Sequence, residues 1–339
     1  MSLTRRELLR LGGGAGLYVV LRPRPVRGPP GPGDAGTDLA STGDPRATPH
    51  LGPTVPRSPS RAPELRTREI PSSGETIPVV GIGTRNYRVE PGGDLTPYRE
   101  TLRSFAELGG TVLDTAPSYG NSESVLGELL AELGIRDRIF LATKVDQQGR
   151  EAGLQRMEES FRKLRTDHVE LMQVHNLRDA VTQLETLREW KAGGRLRYVG
   201  LTTSSRRQHG ELLQLMEAEE PDFIQVNYSL GDRGAAERIL PLAAERGIAV
   251  LVNLPFGRAR LFRAVGDRPL PGWAAEFDCE SWGQFFLKYI LADPGVTCVI
   301  PGTTKPHHAV DNLGAARGRL PDDALRRRME EFFDGLGSG

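Results

Sequence analysis

The sequence predicts an α/β fold, a (β/α)8 TIM barrel with an N-terminal β-hairpin and a C-terminal helix. From residue 66 onward, short apolar runs alternate with amphipathic stretches of ten or more residues, as a parallel barrel requires. Three of the runs end on ionisable residues, and the carboxyl ends of barrel strands share one rim. The chain beyond residue 66 has room for a barrel of about 250 residues.

A β-hairpin opens this region. Residues 66–78 contain two short extended runs, and the segment Pro71-Ser72-Ser73-Gly74 between them has the composition of a turn. Helical patterns separate the later apolar runs, and a last helix is predicted at residues 321–333. The eight inner strands are predicted at residues 79–82, 111–114, 139–144, 169–175, 198–201, 223–226, 249–253 and 297–301.

The second inner strand leads into a polar segment. The apolar run stops at Asp114, and Pro117 cannot continue a sheet because it has no amide proton. A helix is then predicted, with Asn121 or Ser122 as its N-terminal cap. Asp114 and Tyr119 are therefore expected in the connection between a strand and a helix.

The next two predicted strands also end on ionisable side chains, Lys144 and His175. Because the carboxyl ends of parallel barrel strands lie at one rim, residues far apart in sequence meet there. Asp114, Tyr119, Lys144 and His175 are thus expected to form one site.

A doubly wound nucleotide-binding sheet is the alternative α/β architecture. It requires a glycine-rich turn between its first strand and the following helix. The segment Gly81-Ile82-Gly83-Thr84 has two glycines without the third, and no helical pattern starts there. The sequence therefore favours the barrel.

The charge and the cysteine content of the chain limit the classes of function that it can have. Lys and Arg number 44 and Asp and Glu number 44, so the formal net charge is zero and no global charge attracts nucleic acid or an anionic membrane. The two cysteines, Cys279 and Cys298, have neither metal-site spacing nor the pattern of a disulfide framework. A small-molecule partner and a monomer are expected.

The N-terminal part of the chain has a different composition. Residues 1–21 resemble a twin-arginine export signal, with Arg5-Arg6 followed by a weakly apolar, glycine-rich stretch too short to span a bilayer. This predicts a periplasmic or exported protein, with membrane contact only during export, and a cytoplasmic one if the signal is not functional. Residues 22–65 are rich in Pro, Gly, Ser and Thr and are predicted to be a disordered linker before a barrel domain at residues 66–339.

Asp114, Tyr119, Lys144 and His175, in this order and with their flanking residues, resemble the catalytic tetrad of the aldo-keto reductase family. Residues 198–204, 224–229 and 300–306 are similar to the family's fifth, sixth and eighth strand ends, so the resemblance extends over most of residues 66–334. It implies an NAD(P)H-dependent enzyme that reduces aldehydes or ketones to alcohols by hydride transfer.

The resemblance gives each member of the tetrad a role. Hydride addition to a carbonyl carbon leaves charge on oxygen, so a side chain must donate a proton there. Tyr119 is the expected general acid, because an ammonium at Lys144 would stabilise its phenolate. Asp114 would keep Lys144 charged in a buried site, and His175 would orient the carbonyl through a hydrogen bond.

The resemblance also implies a nicotinamide-cofactor site. Thr202 and Thr203 replace a common Ser-Asn pair that contacts the nicotinamide amide, and Asn253 replaces a common aromatic residue. Lys305 is expected to compensate for the missing basic residues in the adenosine phosphate region, which favours NADPH over NADH. The expected cofactor-binding residues are Gly83, Thr84, Arg85, Thr202, Thr203, Gln225, Asn253, Leu254, Pro255, Gly257, Pro301, Gly302, Thr303, Thr304, Lys305, His308, Asp311 and Asn312.

Two other classes of function compete with a reductase of small carbonyl compounds, in which Tyr119 would also be the general base for oxidation of the corresponding alcohols. The absence of an aromatic ring at position 253 is compatible with a cofactor-binding sensor or accessory subunit with little turnover. A metal-dependent barrel hydrolase or isomerase needs clustered His and carboxylate ligands at strand ends, and only His175 is well placed. No metal is therefore expected.

Overall fold

The structure is a computed structural model that describes residues 64–336. The predicted signal region, residues 1–21, and residues 22–63 of the predicted linker lie outside this range and stay predictions. Leu65, the last residue of that linker, already packs against the hydrophobic core. No helix in the described part of the chain has the length and apolar character needed to cross a membrane.

A β-hairpin precedes the barrel, as predicted. Its strands are β1 (Thr67–Glu69) and β2 (Thr76–Pro78), which pair antiparallel with Arg68 opposite Ile77. Ile70 and Ile77 are buried in the same cluster as the residues that fill the barrel interior. The Ser73 hydroxyl lies 2.6 Å from the hydroxyl of Tyr198, which also donates to Glu75. The hairpin therefore closes one end of the barrel.

Eight parallel strands follow in chain order, each paired with its sequence neighbours. The sheet curls round until its edges approach each other, with isolated parallel bridges at Val80–Val299 and Gly83–Gly302. The predicted barrel is thus confirmed as nearly closed. The strands are β3 (Ile82–Gly83), β4 (Val112–Asp114), β5 (Phe140–Val145), β6 (Val169–His175), β7 (Leu196–Thr202), β8 (Phe223–Asn227), β9 (Ala249–Asn253) and β10 (Cys298–Val299).

Helices surround the barrel and cover its outer face. Two of them, α7 and α8, separate β9 from β10. The helices are α1 (Thr96–Glu107), α2 (Ser122–Leu133), α3 (Arg150–Leu164), α4 (Ala180–Ala192), α5 (His209–Glu219), α6 (Ala235–Arg246), α7 (Arg260–Val265), α8 (Trp282–Leu291), α9 (Pro306–Gly314) and α10 (Asp323–Gly335).

Strand boundaries differ from the predicted ones where backbone pairing is interrupted. The first inner strand was predicted at residues 79–82, but only Val80 forms an isolated bridge before β3 begins at Ile82. The eighth was predicted to reach Pro301 but ends at Val299. Proline has no amide proton to donate to a neighbouring strand, so the paired segment cannot extend through Pro301.

Asn121 occupies the N-cap position of α2, one of the two residues predicted for it, but its side chain makes no capping hydrogen bond to the helix. The Asn121 side chain instead binds both backbone groups of Val89. The Ser122 hydroxyl donates to the carbonyl of Thr84, at 2.8 Å. These contacts anchor the segment after β3 to the segment after β4.

Candidate active site

The tetrad predicted from sequence converges at the carboxyl rim of the barrel. Asp114 is the last residue of β4, Lys144 lies one residue from the end of β5, and His175 ends β6. Tyr119 lies in the short connection between β4 and α2. Adjacent parallel strands hold these ends at one level, and all four side chains line a single cavity.

Lys144 and Asp114 form a buried ion pair. The ammonium donates to both carboxylate oxygens of Asp114, at 2.7 and 2.8 Å, and to the Thr115 carbonyl at 2.7 Å. Gln173 adds a hydrogen bond to Asp114 at 3.3 Å. Burial lowers the pKa of Lys144, but the interactions with Asp114 and Tyr119 together raise it by more, so the pKa lies above its usual value. Lys144 is therefore a permanent cation of the site.

Tyr119 and His175 face each other beside this cation. The Lys144 ammonium nitrogen lies 5.4 Å from the centre of the Tyr119 ring. The rings of Tyr119 and His175 meet edge to face, with centroids 6.1 Å apart. Ser118 lies 3.4 Å from Nδ1 of His175. If the Ser118 hydroxyl donates this hydrogen bond, His175 carries its proton on Nε2 and can donate it toward the cavity.

His175 is a neutral imidazole at physiological pH. Burial disfavours its charged form and the Lys144 cation repels it, which together lower its pKa from 6.5 to about 4. A neutral imidazole with its proton on Nε2 can orient a carbonyl oxygen without competing with a tyrosine as proton source.

This assignment predicts a specific pH dependence. The unfolded chain takes up a proton at His175 below pH 6.5 while the folded protein does not, so folding stability falls between pH 6.5 and about 4, by at most about 3 kcal/mol. We expect the NMR signals of the His175 ring to titrate near pH 4. We also expect the stability of the His175→Gln variant to fall less than that of the wild type as the pH is lowered from 6.5 to about 4. A His175 midpoint near 6.5 would contradict the assignment.

The cavity has a volume of about 1120 Å³ and opens at the rim. Two thirds of the residues expected to bind a cofactor line it. These are Gly83, Arg85, Thr202, Gln225, Asn253, Leu254, Pro255, Gly302, Thr303, His308, Asp311 and Asn312.

Six of the expected cofactor residues do not line the cavity: Thr84, Thr203, Gly257, Pro301, Thr304 and Lys305. The hydroxyl of Thr84 is buried and donates to the Asp114 carbonyl. The hydroxyl of Thr203 donates to Gln208 at 2.7 Å, so it is not free to bind a nicotinamide amide. Lys305 is exposed at the start of α9.

Two amide oxygens in the cavity wall lack a partner. Oε1 of Gln225, on β8, and Oδ1 of Asn253, at the end of β9, are buried and accept no hydrogen bond from any residue between 64 and 336. The Asn253 amide nitrogen donates to the Thr203 carbonyl at 3.0 Å, which fixes the side chain. A buried acceptor left without a donor is unfavourable, so these atoms fit a ligand that brings N–H groups, such as a carboxamide.

The opposite side of the cavity is formed by the starts of α8 and α9. Asp311 accepts hydrogen bonds from Ser281, at 2.7 Å, and from Gln284, at 2.9 Å. The pKa of His308 is lowered by burial and by its neighbours His307 and Lys305, so His308 is neutral at physiological pH. This side therefore offers hydrogen-bonding groups to a ligand. Lys305, three residues before His308, is the positively charged residue nearest to His308 in sequence.

Several lining residues were not among the predicted site residues. The loop after β9 contributes Phe256 and Arg258, and three consecutive residues, Gly257 to Ala259, have positive φ angles of 54°, 56° and 64°. Ser281 caps α8 by accepting from the Gln284 amide. A serine before a helical pattern signals such a cap, but only the fold brings it to Asp311. The other unpredicted lining residues are Asn86, Arg88, Ser118, Asn176, Ser204, Ala259, Phe262, Trp282, Gly283 and Ile300.

The described part of the chain contains no cluster of three or more His, Cys, Asp or Glu side chains suited to a metal ion. The rings of His307 and His308 meet edge to face, with centroids 4.4 Å apart, beyond the end of β10. The two cysteines are free and buried.

Comparison with known proteins gives a consistent result. A model of the aldo/keto reductase family matches residues 81–330, well over half of the chain. The chain is 29% identical over 254 residues to methylglyoxal reductase YeaE of Escherichia coli (strain K12), covering 72% of this chain and 87% of that protein. It is 25% identical over 318 residues to an NADH-specific methylglyoxal reductase of the same organism, covering 76% and 96%.

Solved structures share the fold. An aldo/keto reductase from Klebsiella pneumoniae, crystallised in complex with NADP and acetate, superposes with a TM-score of 0.65 at 24% identity. The match covers 80% of this chain and 96% of that chain.

Proposed function

The chain belongs to the aldo/keto reductase family, and we propose that it reduces aldehydes or ketones to alcohols with NADPH, with Tyr119 as the general acid. The observation that carries this proposal is the convergence of Tyr119, the Lys144–Asp114 ion pair and neutral His175 in one cavity. The relatives named as reductases of methylglyoxal, one of them NADH-specific, support the reaction class.

The cavity wall fits a nicotinamide cofactor. The unpartnered oxygens of Gln225 and Asn253 would accept hydrogen bonds from the nicotinamide amide, and the Thr202 hydroxyl lies on the same wall. Thr303, His308, Asp311 and Asn312, which line the same cavity, would hold the adenosine portion. When bound, the cofactor supplies a hydride to the carbonyl carbon.

Tyr119 would protonate the carbonyl oxygen as negative charge develops on it. Loss of this proton leaves a phenolate, which the nearby Lys144 cation stabilises electrostatically. Lys144 donates hydrogen bonds to Asp114 and Thr115, and it interacts with Tyr119 through charge and through a side-chain hydrogen bond. Solvent then returns the proton to Tyr119. His175 would hold the carbonyl oxygen in position through Nε2–H.

The preference for NADPH rests on Lys305 in this proposal. His308 is neutral and Gly302 has no side chain, so in this proposal Lys305, at the start of the helix that carries His308, binds the 2′-phosphate. We expect Lys305→Gln to weaken NADPH binding about tenfold and to leave NADH binding unchanged. Fluorescence titration of both cofactors measures this, with Lys163→Gln on α3 as the control. Equal losses for the two cofactors would contradict a phosphate contact.

The test of the proposed function is a titration of the full chain with NADPH and NADH, followed by absorbance decay after addition of a panel of aldehydes and ketones. Tight NADPH binding with carbonyl-dependent oxidation is the expected result. Binding without turnover of any carbonyl would favour a cofactor-binding sensor or accessory subunit. Absence of cofactor binding would overturn both.

A further inference from the structure

Two arginines lie on the segment that follows β3, beside the proposed proton donor. Arg85 and Arg88 are exposed and line the cavity. Neither forms an ion pair within residues 64–336. The Arg88 side chain lies directly against Gly120, the residue after Tyr119, because a Cβ atom at Gly120 would come within 2.9 Å of Arg88 Cδ. The structure thus places the side chain of Arg88, which has no ion-pair partner among the described residues, beside the residue that follows Tyr119.

The segment that carries these arginines is anchored at both ends. The Thr84 amide donates to the Asp114 carbonyl at 2.8 Å, and Asn121 holds the backbone of Val89. Tyr87, between the two arginines, is fully buried. Arg85 and Arg88 are therefore attached to a segment that is fixed relative to Tyr119, which reduces the entropy lost when they bind a ligand.

No free negative charge in the cavity balances the arginines. Among the described residues, Asp114 and Asp311 are the carboxylates that line it. The ammonium of Lys144 neutralises Asp114. Asp311 accepts hydrogen bonds from Ser281 and Gln284 beside α8. The end of the cavity near Tyr119 is therefore positively charged.

We propose that the natural substrate carries an oxyanion, a carboxylate or a phosphate, and that Arg85 and Arg88 bind this group while the carbonyl oxygen faces Tyr119 and His175. This inference rests on the proposed carbonyl reduction and narrows its substrate class. A guanidinium binds a carboxylate or phosphate with two parallel hydrogen bonds, which fixes orientation as well as position. Arg85, expected from sequence to contact the cofactor, is here assigned to the substrate.

The test compares pairs of carbonyl compounds in which one member carries an anionic group and the other does not. Succinic semialdehyde is paired with its methyl ester, and glyceraldehyde 3-phosphate with glyceraldehyde. For at least one pair we expect the charged member to have a kcat/KM about 10- to 100-fold higher in the wild type. The pair that shows the larger ratio distinguishes a carboxylate from a phosphate.

The double variant Arg85→Gln/Arg88→Gln is expected to bring the ratio close to one, mainly by raising KM for the charged member. Because both members are reduced with the same cofactor, the ratio of their kcat/KM values is not changed by a uniform effect of the variant on NADPH binding. Arg103→Gln, on the outer surface of α1, removes one positive charge away from the cavity and is expected to keep the ratio. A ratio near one in the wild type, or an unchanged ratio in the double variant, would overturn the inference. A loss of NADPH binding with an unchanged ratio would assign the arginines to the cofactor instead.

A binding measurement separates this inference from the proposed function. If no carbonyl compound is reduced, the proposed function fails, and calorimetric titration with succinate and inorganic phosphate tests the anion site by itself. Binding of either anion that weakens about tenfold or more in the double variant, but not in Arg103→Gln, supports the site. Equal binding in the wild type and the double variant overturns it.

Discussion

Tyr119→Phe is expected to lower kcat for carbonyl reduction by about 100- to 10,000-fold, the usual range for loss of a general acid. The substitution removes one hydroxyl group and keeps the ring that packs edge to face with His175. Because the hydroxyl contributes to the transition state more than to cofactor binding, NADPH affinity should stay within about twofold of the wild type. Steady-state rates and fluorescence titration of the same preparations measure both quantities.

Tyr98→Phe is the matched control for this result. Tyr98 lies on α1, packs against Tyr87 and does not line the cavity. The same loss of a hydroxyl there should leave kcat unchanged. Full activity in Tyr119→Phe would contradict its role as general acid, and a parallel loss of NADPH affinity would show that the variant disturbs the cofactor site.

The convergence of the tetrad could be predicted from sequence because it follows from topology. Once alternating strands and helices indicate a parallel barrel, every residue that ends a strand lies at one rim. Asp114, Lys144 and His175 end adjacent strands, so their proximity needed no knowledge of side-chain packing. Strand ends were predicted less accurately, since hydrogen-bond pairing, rather than apolar composition, decides where a strand stops.

Contacts between side chains on separate loops could not be predicted. Thr203 has the hydroxyl group expected of a cofactor-binding residue, yet this hydroxyl donates a hydrogen bond to Gln208. The contact of Arg88 with Gly120 depends on the relative placement of two loops and leaves no periodic signal in the sequence. Asp311 likewise has partners from a different helix, at Ser281 and Gln284. Such contacts require the tertiary structure.

Lys144→Met is expected to be the most destabilising single substitution in the site, with a loss of about 3–5 kcal/mol in the free energy of unfolding at neutral pH. Lys144 and Asp114 are 1% and 3% exposed, so removing the ammonium leaves a carboxylate buried without a counterion. In the variant the pKa of Asp114 would be raised by burial alone. The penalty should therefore be larger at pH 7 and should shrink as the pH falls toward about 4, where the folded carboxyl is neutral and about half of the unfolded carboxyls are protonated.

The double variant Asp114→Asn/Lys144→Met shows how much stability is lost when the whole ion pair is removed. Comparison with Lys144→Met then gives the additional cost of leaving the Asp114 carboxylate without a counterion. Because both charges are gone, the double variant should lose less stability than Lys144→Met, although it should be just as inactive. Arg103→Met removes one partner of the exposed Arg103–Glu100 pair on α1 and should cost less than about 1 kcal/mol. Urea denaturation at pH 7 and pH 4 measures all three variants. If Lys144→Met and the double variant lost the same stability at pH 7, the carboxylate would not be an uncompensated buried charge, and Asp114 would hold Lys144 by hydrogen bonding without carrying a charge itself.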